Sequence, residues 1–344
     1  MRPLTPRRIG MICILLGAVL FAVVVVSLRV GAFPISTSDV VMTLVRRVIG
    51  HESEIPFDFA NVIFDIRLPR IALGILVGAA LSVSGASFQA LLRNPLADPY
   101  VLGVSSGAAL GAILSLAWLP MLPWTMPAFA FVGALGTIAA VYFLGRRGGQ
   151  LDSTTLLLAG IISASFLSAV ILFLMTMLSG HDLRGMAFWL MGDLTSPAPP
   201  GLNVKLWFGF LFVVLLIGAG AIYTTSSDLN LILTGEEEAH HLGVNIARVK
   251  LVVYVGASLL TGLAVSVSGA IGYVGLLVPH LIRMMFGSDH RLLIPASAIG
   301  GAIAVVFADT LARTIVAPTE LPVGAMTAAI GAPVFIYLLR RRLA

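Results

Sequence analysis

In 344 residues the chain has one cysteine, Cys13, and two lysines, Lys205 and Lys250, and only 11% of it is charged. A single thiol excludes a disulfide within one chain and any cysteine-based metal site. Neither lysine follows the glycines of a phosphate-binding loop, so no nucleotide cradle of that kind is present. A metalloprotease pair of histidines, the paired aspartates of a membrane prenyltransferase and any nucleic-acid motif are also missing. No line of acids runs through successive apolar stretches, which weakens a proton-coupled carrier. What is present in quantity is apolar surface: 58% of residues are hydrophobic and the mean hydropathy is +1.03. That composition describes a polytopic membrane protein. The net charge of +5 says nothing about partners until its arginines are sorted by membrane side.

A helix needs about 20 mostly apolar residues to cross roughly 30 Å of hydrocarbon. The run Ile9 to Leu28 is long enough, follows Arg7 and Arg8, and precedes no small-x-small cleavage site, so it reads as a retained helix. Further spans are expected at roughly 70–91, 103–118, 127–144, 154–178, 203–222, 248–267, 271–286, 292–312 and 321–339. Ten spans give one all-α membrane domain, 1–344, with both termini on one side. Arg7, Arg8, Arg340, Arg341 and Arg342 mark that side as the cytoplasm. Residues 30–69 then form an extracytoplasmic hairpin, with Ser36 as a helix cap and Val40 to Val48 as a short amphipathic piece. Five arginines between residues 29 and 70 fall outside, against the usual bias, and need a reason.

Three features suggest working parts. The stretch Leu92 to Tyr100 places Pro95 and Pro99 between two glycine-rich runs, and two prolines forbid continuous helix there. Gly78–Ala86 and Gly262–Ala270 are identical at seven of nine positions on helices that run oppositely, the mark of an inverted-topology repeat. Small residues recur in any membrane helix, which is the competing explanation. Gly269, Gly272 and Gly275 precede Pro279, so the eighth span begins irregularly and is short.

The longest cytoplasmic loop, 223–247, reads as two short helices broken at Gly235 and stopped at Gly243. Glu236, Glu237 and Glu238 suit the positive end of the second helix. His240 and His241 beside them point about 100° apart, so a docking surface is the better reading than a metal site. Near the hydrocarbon, ionisable residues are costly and tend to face a partner or water. Candidates are His280, Arg283 and the pair Asp309 and Arg313, whose i,i+4 spacing alone would steady a helix end.

Three separated motifs carry a resemblance: Arg93–Pro99 with Leu102–Gly107, Thr234–Ala239 through Leu242–Val244, and Gly272–Arg283. Over residues 60 to 340 the chain resembles the FecCD family, permease subunits of type II ABC importers for iron-siderophores, haem and vitamin B12. The resemblance implies a ten-helix subunit that pairs with a second copy around a path, with two ATPase subunits below and a binding protein above. ATP and Mg would be bound by the ATPase, with no cofactor, metal or catalytic residue in this chain. It further implies coupling helices at Thr234, Gly235, Glu236, Glu237, Glu238, Ala239, His240, His241, Leu242 and Gly243, and a cytoplasmic gate at Asn94, Leu96, Ser153 and Thr154. Arg67, Arg70 and Arg313 would meet glutamates of the binding protein, which supplies a reason for outward positive charge. Arg184, Phe188 and Trp189 fall on the short helix that lines the outer cavity. Gly192-Asp193 stands where the family commonly has Gly-Ser, which leaves the substrate open: iron-siderophore first, haem second, cobalamin third. The location implied is a bacterial or archaeal cytoplasmic membrane. The rival classes are a secondary carrier driven by an ion gradient and a structural scaffold, neither of which has a use for the 223–247 loop.

Overall fold

A computed structural model describes residues 5–31, 33–51, 55–119, 122, 124–147, 150–177, 180–196 and 198–343. In chain order the helices are α1 (Pro6–Arg29), α2 (Thr37–Ile49), α3 (Phe57–Ala60), α4 (Leu68–Leu91), α5 (Val104–Trp118), α6 (Thr125–Leu144), α7 (Ser153–Met175) and α8 (Gly180–Leu190). They continue with α9 (Val204–Thr224), α10 (Ser226–Ile232), α11 (Glu236–His241), α12 (Ile246–Ser268), α13 (Val274–Phe286), α14 (His290–Ala312) and α15 (Val323–Leu343). A two-residue antiparallel pair, β1 (Arg146–Arg147) with β2 (Gln150–Leu151), closes the turn before α7. Seven helices among the described residues are long and apolar enough to cross a membrane, and three apolar ones are shorter.

Side chains that satisfy the free amides of a first turn set many of the starts. Thr5 caps α1, Ser36 caps α2, Asp152 caps α7, Asn203 caps α9, Asn245 caps α12 and Asp289 caps α14. The span expected from residue 70 begins earlier. From Phe57 the chain is helical without a break to Leu91, through a π-helical turn at Asn61–Arg67. Its polar residues read as loop in the sequence, but Asp58 sits in a first turn where a negative charge is favoured, and Arg67 is buried against other backbone.

The bundle is built around α4, which is buried along nearly its whole length and packs on α12, α13 and α14. Lipid offers no hydrophobic drive between helices, so contact comes from close backbone approach and polar side chains. A Cβ placed on Gly78 would lie 2.2 Å from the carbonyl oxygen of Gly301 in α14, and one on Gly85 would lie 1.8 Å from that of Gly275 in α13. Ser84 Oγ donates to Ala257 O at 2.8 Å and lies 2.5 Å from Thr261 Oγ1, tying α4 to α12.

Packing partners fall into matched sets. Exchanging α4 with α12, α5 with α13, α6 with α14 and α7 with α15 turns each of the contacts α4–α14, α4–α13, α5–α6, α5–α7 and α6–α7 into another contact of the bundle. The two copies of the nine-residue segment differ locally. In α4 the helix continues through Gly85 and Ala86, whereas α12 ends at Ser268 and Gly269 takes a φ of +63°. Irregular backbone then runs to Tyr273 before the 13-residue α13, as the glycine spacing predicts.

Candidate functional site

Polar side chains gather at two ends of the bundle, and each end holds some of the residues singled out in the sequence. At one end lies the Leu92–Tyr100 stretch. Arg93 adopts φ +49°, a region costly for a residue with a Cβ. Asn94 Oδ1 accepts from Leu96 N at 2.9 Å, and Leu96 is 42% exposed. Asp98 caps the 3₁₀ turn Pro99–Leu102 through Tyr100 N at 2.9 Å. Burial pushes the Asp98 carboxyl up to about 6, the Tyr100 amide opposing, and burial likewise raises the Tyr100 phenol. That phenol donates to Ile271 O at 3.2 Å and accepts from Ile271 N at 3.1 Å, so the stretch is pinned to the irregular backbone before α13.

The two short helices α10 and α11, with the residues after them, lie against this stretch. Within them Ala239 is buried, while Glu237, Glu238, His240, His241, Leu242 and Gly243 face outward, as does Thr234. Glu236 instead turns inward. Its Oε1 is 2.9 Å from Arg93 Nη2 and its Oε2 is 2.9 Å from Lys250 Nζ at the start of α12. Arg93 Nη2 also reaches Ile232 O at 3.3 Å. On α10, Asn230 Nδ2 donates to Asp289 Oδ1 at 2.8 Å, and Asn230 Oδ1 accepts from His290 N at 2.9 Å. The Arg291 guanidinium, 2.6 Å from Asp289, holds that carboxylate down at about 2. Between these elements is a cavity of about 380 Å³ lined by Gln89, Arg93, Pro95, Arg283 and His290. Arg283 in turn donates to Gln89 Oε1 at 3.1 Å.

Of the second pair of gate candidates, Thr154 is exposed on the first turn of α7. The side chain of Ser153 lies outside the described residues. The turn before α7 is ordered by Asp152, which accepts from Thr155 N at 2.7 Å and Thr155 Oγ1 at 2.6 Å. α7 meets the 3₁₀ turn Pro99–Leu102 farther along, where Gly160 packs beneath Val101.

At the opposite end the structure brings Arg67, Arg70 and Arg313 together but seals them inside the chain, 3%, 4% and 6% exposed. Each of them has partners within the chain. Arg67 donates to Leu28 O and Phe33 O, each at 2.5 Å. Arg313 Nη2 donates to Ser27 Oγ at 2.7 Å and reaches Ser27 O at 3.4 Å. The last carbonyls of a helix lack intrahelical donors and carry the negative end of its dipole, so two arginines suit the end of α1. Arg70 Nε and Arg313 Nε flank Asp309 at 2.8 and 3.0 Å, and Arg70 Nη1 reaches the half-exposed Glu320 at 2.6 Å. The i,i+4 pair found in the sequence is therefore one edge of a four-residue chain, Glu320–Arg70–Asp309–Arg313, buried except at Glu320.

Beside this network is a cavity of about 400 Å³ lined by Arg184, Phe188, Asp193, Thr195 and Glu320. Trp189 lines a neighbouring one of about 270 Å³ with Trp207 and Ser266. Asp193, the departure from the family's usual serine, lies in the wall of both, its carboxylate accepting from Thr195 N at 2.8 Å and Thr195 Oγ1 at 2.6 Å. Sequence reasoning missed Glu236 as an inward-facing residue, gave no contact to Asn230 or Tyr100 within the segments it singled out, and missed Glu320 altogether. Only Glu320, a carboxylate at the edge of an apolar run, left a signal that the argument from costly charges could have used.

The FecCD transport family model matches residues 19–341. The hemin transport system permease protein HmuU of Yersinia pestis is 38% identical over 96% of this chain and 96% of its own length. The cobalamin import system permease protein BtuC of Halobacterium salinarum is 43% identical over 82% of this chain and 74% of its own. A solved inward-facing conformation of a transporter assigned to the metal-chelate ABC type superposes with a TM-score of 0.79 at 30% identity, covering 96% of this chain and 99% of that one. A multi-pass helical bundle that follows these permeases over 96% of its length is not an ion-gradient carrier or a scaffold: the chain belongs to the FecCD transport family, as the non-catalytic permease of an ABC import system.

Proposed function

We propose that two copies of this chain enclose a path for a metal chelate, taking an iron-siderophore, haem or a corrinoid from a binding protein and releasing it to the cytoplasm. The relatives named for haem and cobalamin support that cargo class, and the neighbouring outer cavities, holding Arg184, Phe188 and Trp189, have the mixed polarity for weak contacts with part of it. ATP and Mg belong to two ATPase subunits docked on the outward face of the coupling helices. The observation that carries the reading is the position of those helices, in direct ionic contact with the Leu92–Tyr100 stretch that holds the gate candidates Asn94 and Leu96. Ser153 and Thr154 would close the gate from the α7 side.

In this reading the three shorter apolar helices also cross, making ten spans, with both termini cytoplasmic and residues 30–69 outside. The interchange of packing partners between α4–α7 and α12–α15 supports an inverted repeat. A docking protein would reach Arg67, Arg70 and Arg313 only by displacing internal partners, Glu320 first, because it is the exposed member of the network.

Proteoliposomes containing the chain, its ATPase and its binding protein should accumulate one of four probes when supplied with ATP: a ferric hydroxamate siderophore, ferric citrate, haem or cyanocobalamin. The chain alone should accumulate none. Uptake by the chain alone under a proton or sodium gradient would overturn the proposal. Replacing Glu237 and Glu238 together with lysine should lower ATP-driven uptake by about tenfold or more, because like charges facing one another across an interface cost several kcal/mol. ATPase binding and uptake both at wild-type level would remove these helices from the coupling surface.

A further inference from the structure

The coupling loop grips the rest of the bundle at two places, and each grip is a polar side chain with more than one partner. Glu236 holds Arg93 and Lys250 with its two carboxylate oxygens. Asn230 holds the turn between α13 and α14 with both ends of its amide, Nδ2 to Asp289 and Oδ1 to His290. A lone exposed ion pair would carry little energy. The Glu236–Arg93 pair is exposed, 36% and 43%, but the same carboxylate also holds Lys250, at 14% exposure of its side chain, and Arg93 has a second anchor on Ile232 O. Arg93 is also held in a left-handed backbone conformation that a residue with a Cβ rarely adopts unaided. Of the three consecutive glutamates, Glu237 and Glu238 face out and Glu236 alone faces in.

Resting on the importer reading above, we propose that Glu236 is a positioning residue that joins the coupling loop to the gate. A displacement of α11 is passed through Glu236 to the Leu92–Tyr100 stretch and to the base of α12 together. Asn230 passes the movement of α10 to the α13–α14 turn. The loop then acts as a yoke across three segments, which neither the helix positions nor the outward-facing residues require.

Two measurements test this. In the assembled transporter, probe taken up per ATP hydrolysed is the readout, because a loss of folded protein lowers both quantities and leaves their ratio unchanged. Glu236→Gln and Arg93→Ala should each lower that ratio by about fivefold, and the double variant should be no worse than the poorer single, as expected for residues acting as one unit. Ratios at the wild-type level, or effects that multiply, would refute the yoke while the importer reading stood on wild-type uptake. In the purified full chain, where no uptake is needed, Glu236→Gln should speed amide hydrogen exchange at Arg93, Asn94, Leu96 and Ala97. Unchanged exchange there would refute the yoke even if the importer reading had failed.

Discussion

Replacing Asp309 with leucine should destabilise the purified protein by about 3–5 kcal/mol, because it leaves the two guanidiniums of Arg70 and Arg313 buried without their shared carboxylate. Thermal unfolding in detergent, followed by the exposure of Cys13 to a thiol reagent, would measure the loss. Desolvation makes the sign of the whole network different from the sign of its parts. Each guanidinium costs several kcal/mol to bury, and Asp309 offsets that cost for both at once. If this account holds, replacing Arg70, Asp309 and Arg313 together by methionine, leucine and methionine should recover most of the stability that the single change removes. A single variant as stable as the wild type would mean that water reaches the two arginines and that the network is not sealed.

Gly85→Ala is expected to be a strongly damaging single-methyl change within a helix of the bundle. The added carbon would sit 1.8 Å from a carbonyl oxygen of α13, and that neighbour is backbone, so neither side can yield without separating α4 from α13. Inserting one methyl into a well-packed site costs about 1–3 kcal/mol, and a backbone obstacle places this change at the upper end. Gly17 in α1 supplies the contrast, since nothing lies within 4 Å of its added Cβ. Gly17→Ala should be neutral or gain up to about 1 kcal/mol through helix propensity alone. Equal unfolding temperatures for the two variants would contradict the packing described for α4.

Helices were legible wherever an apolar run was long, since length and hydropathy follow from the thickness of the bilayer and need no partner. The two short helices α10 and α11 were legible for another reason, as Gly235 and Gly243 punctuate them and three glutamates open the second. What the sequence could not reveal was pairing across distance. Asp309 and Arg313 are one helical turn apart and could be joined by spacing, but Arg70 lies 239 residues from Asp309 and Glu236 lies far along the chain from Arg93. Phe57 to Arg67 read as loop because its polar residues could not be matched to the carbonyls of Leu28 and Phe33 that bury one of them. The internal partners of the three arginines were hidden on the same ground. An outward positive charge and an inward one look alike until the end of α1 is seen to lack donors.

The network that seals those arginines also orders events during synthesis. Ser27 is separated by 283 residues from Thr310 and by 286 from Arg313, the side chains it bonds. At roughly 5–20 residues per second, α1 and the charged start of α4 wait about 15–60 s in the bilayer before their partners are made. During that interval Arg70 has no counter-ion and its helix end must stay near the headgroups. Arrival of α14 then supplies Arg70 with Asp309 and Ser27 with Thr310 and Arg313. A chain truncated before residue 309 would be left with an unpaired arginine that quality-control proteases could recognise, long before any defect in transport could show.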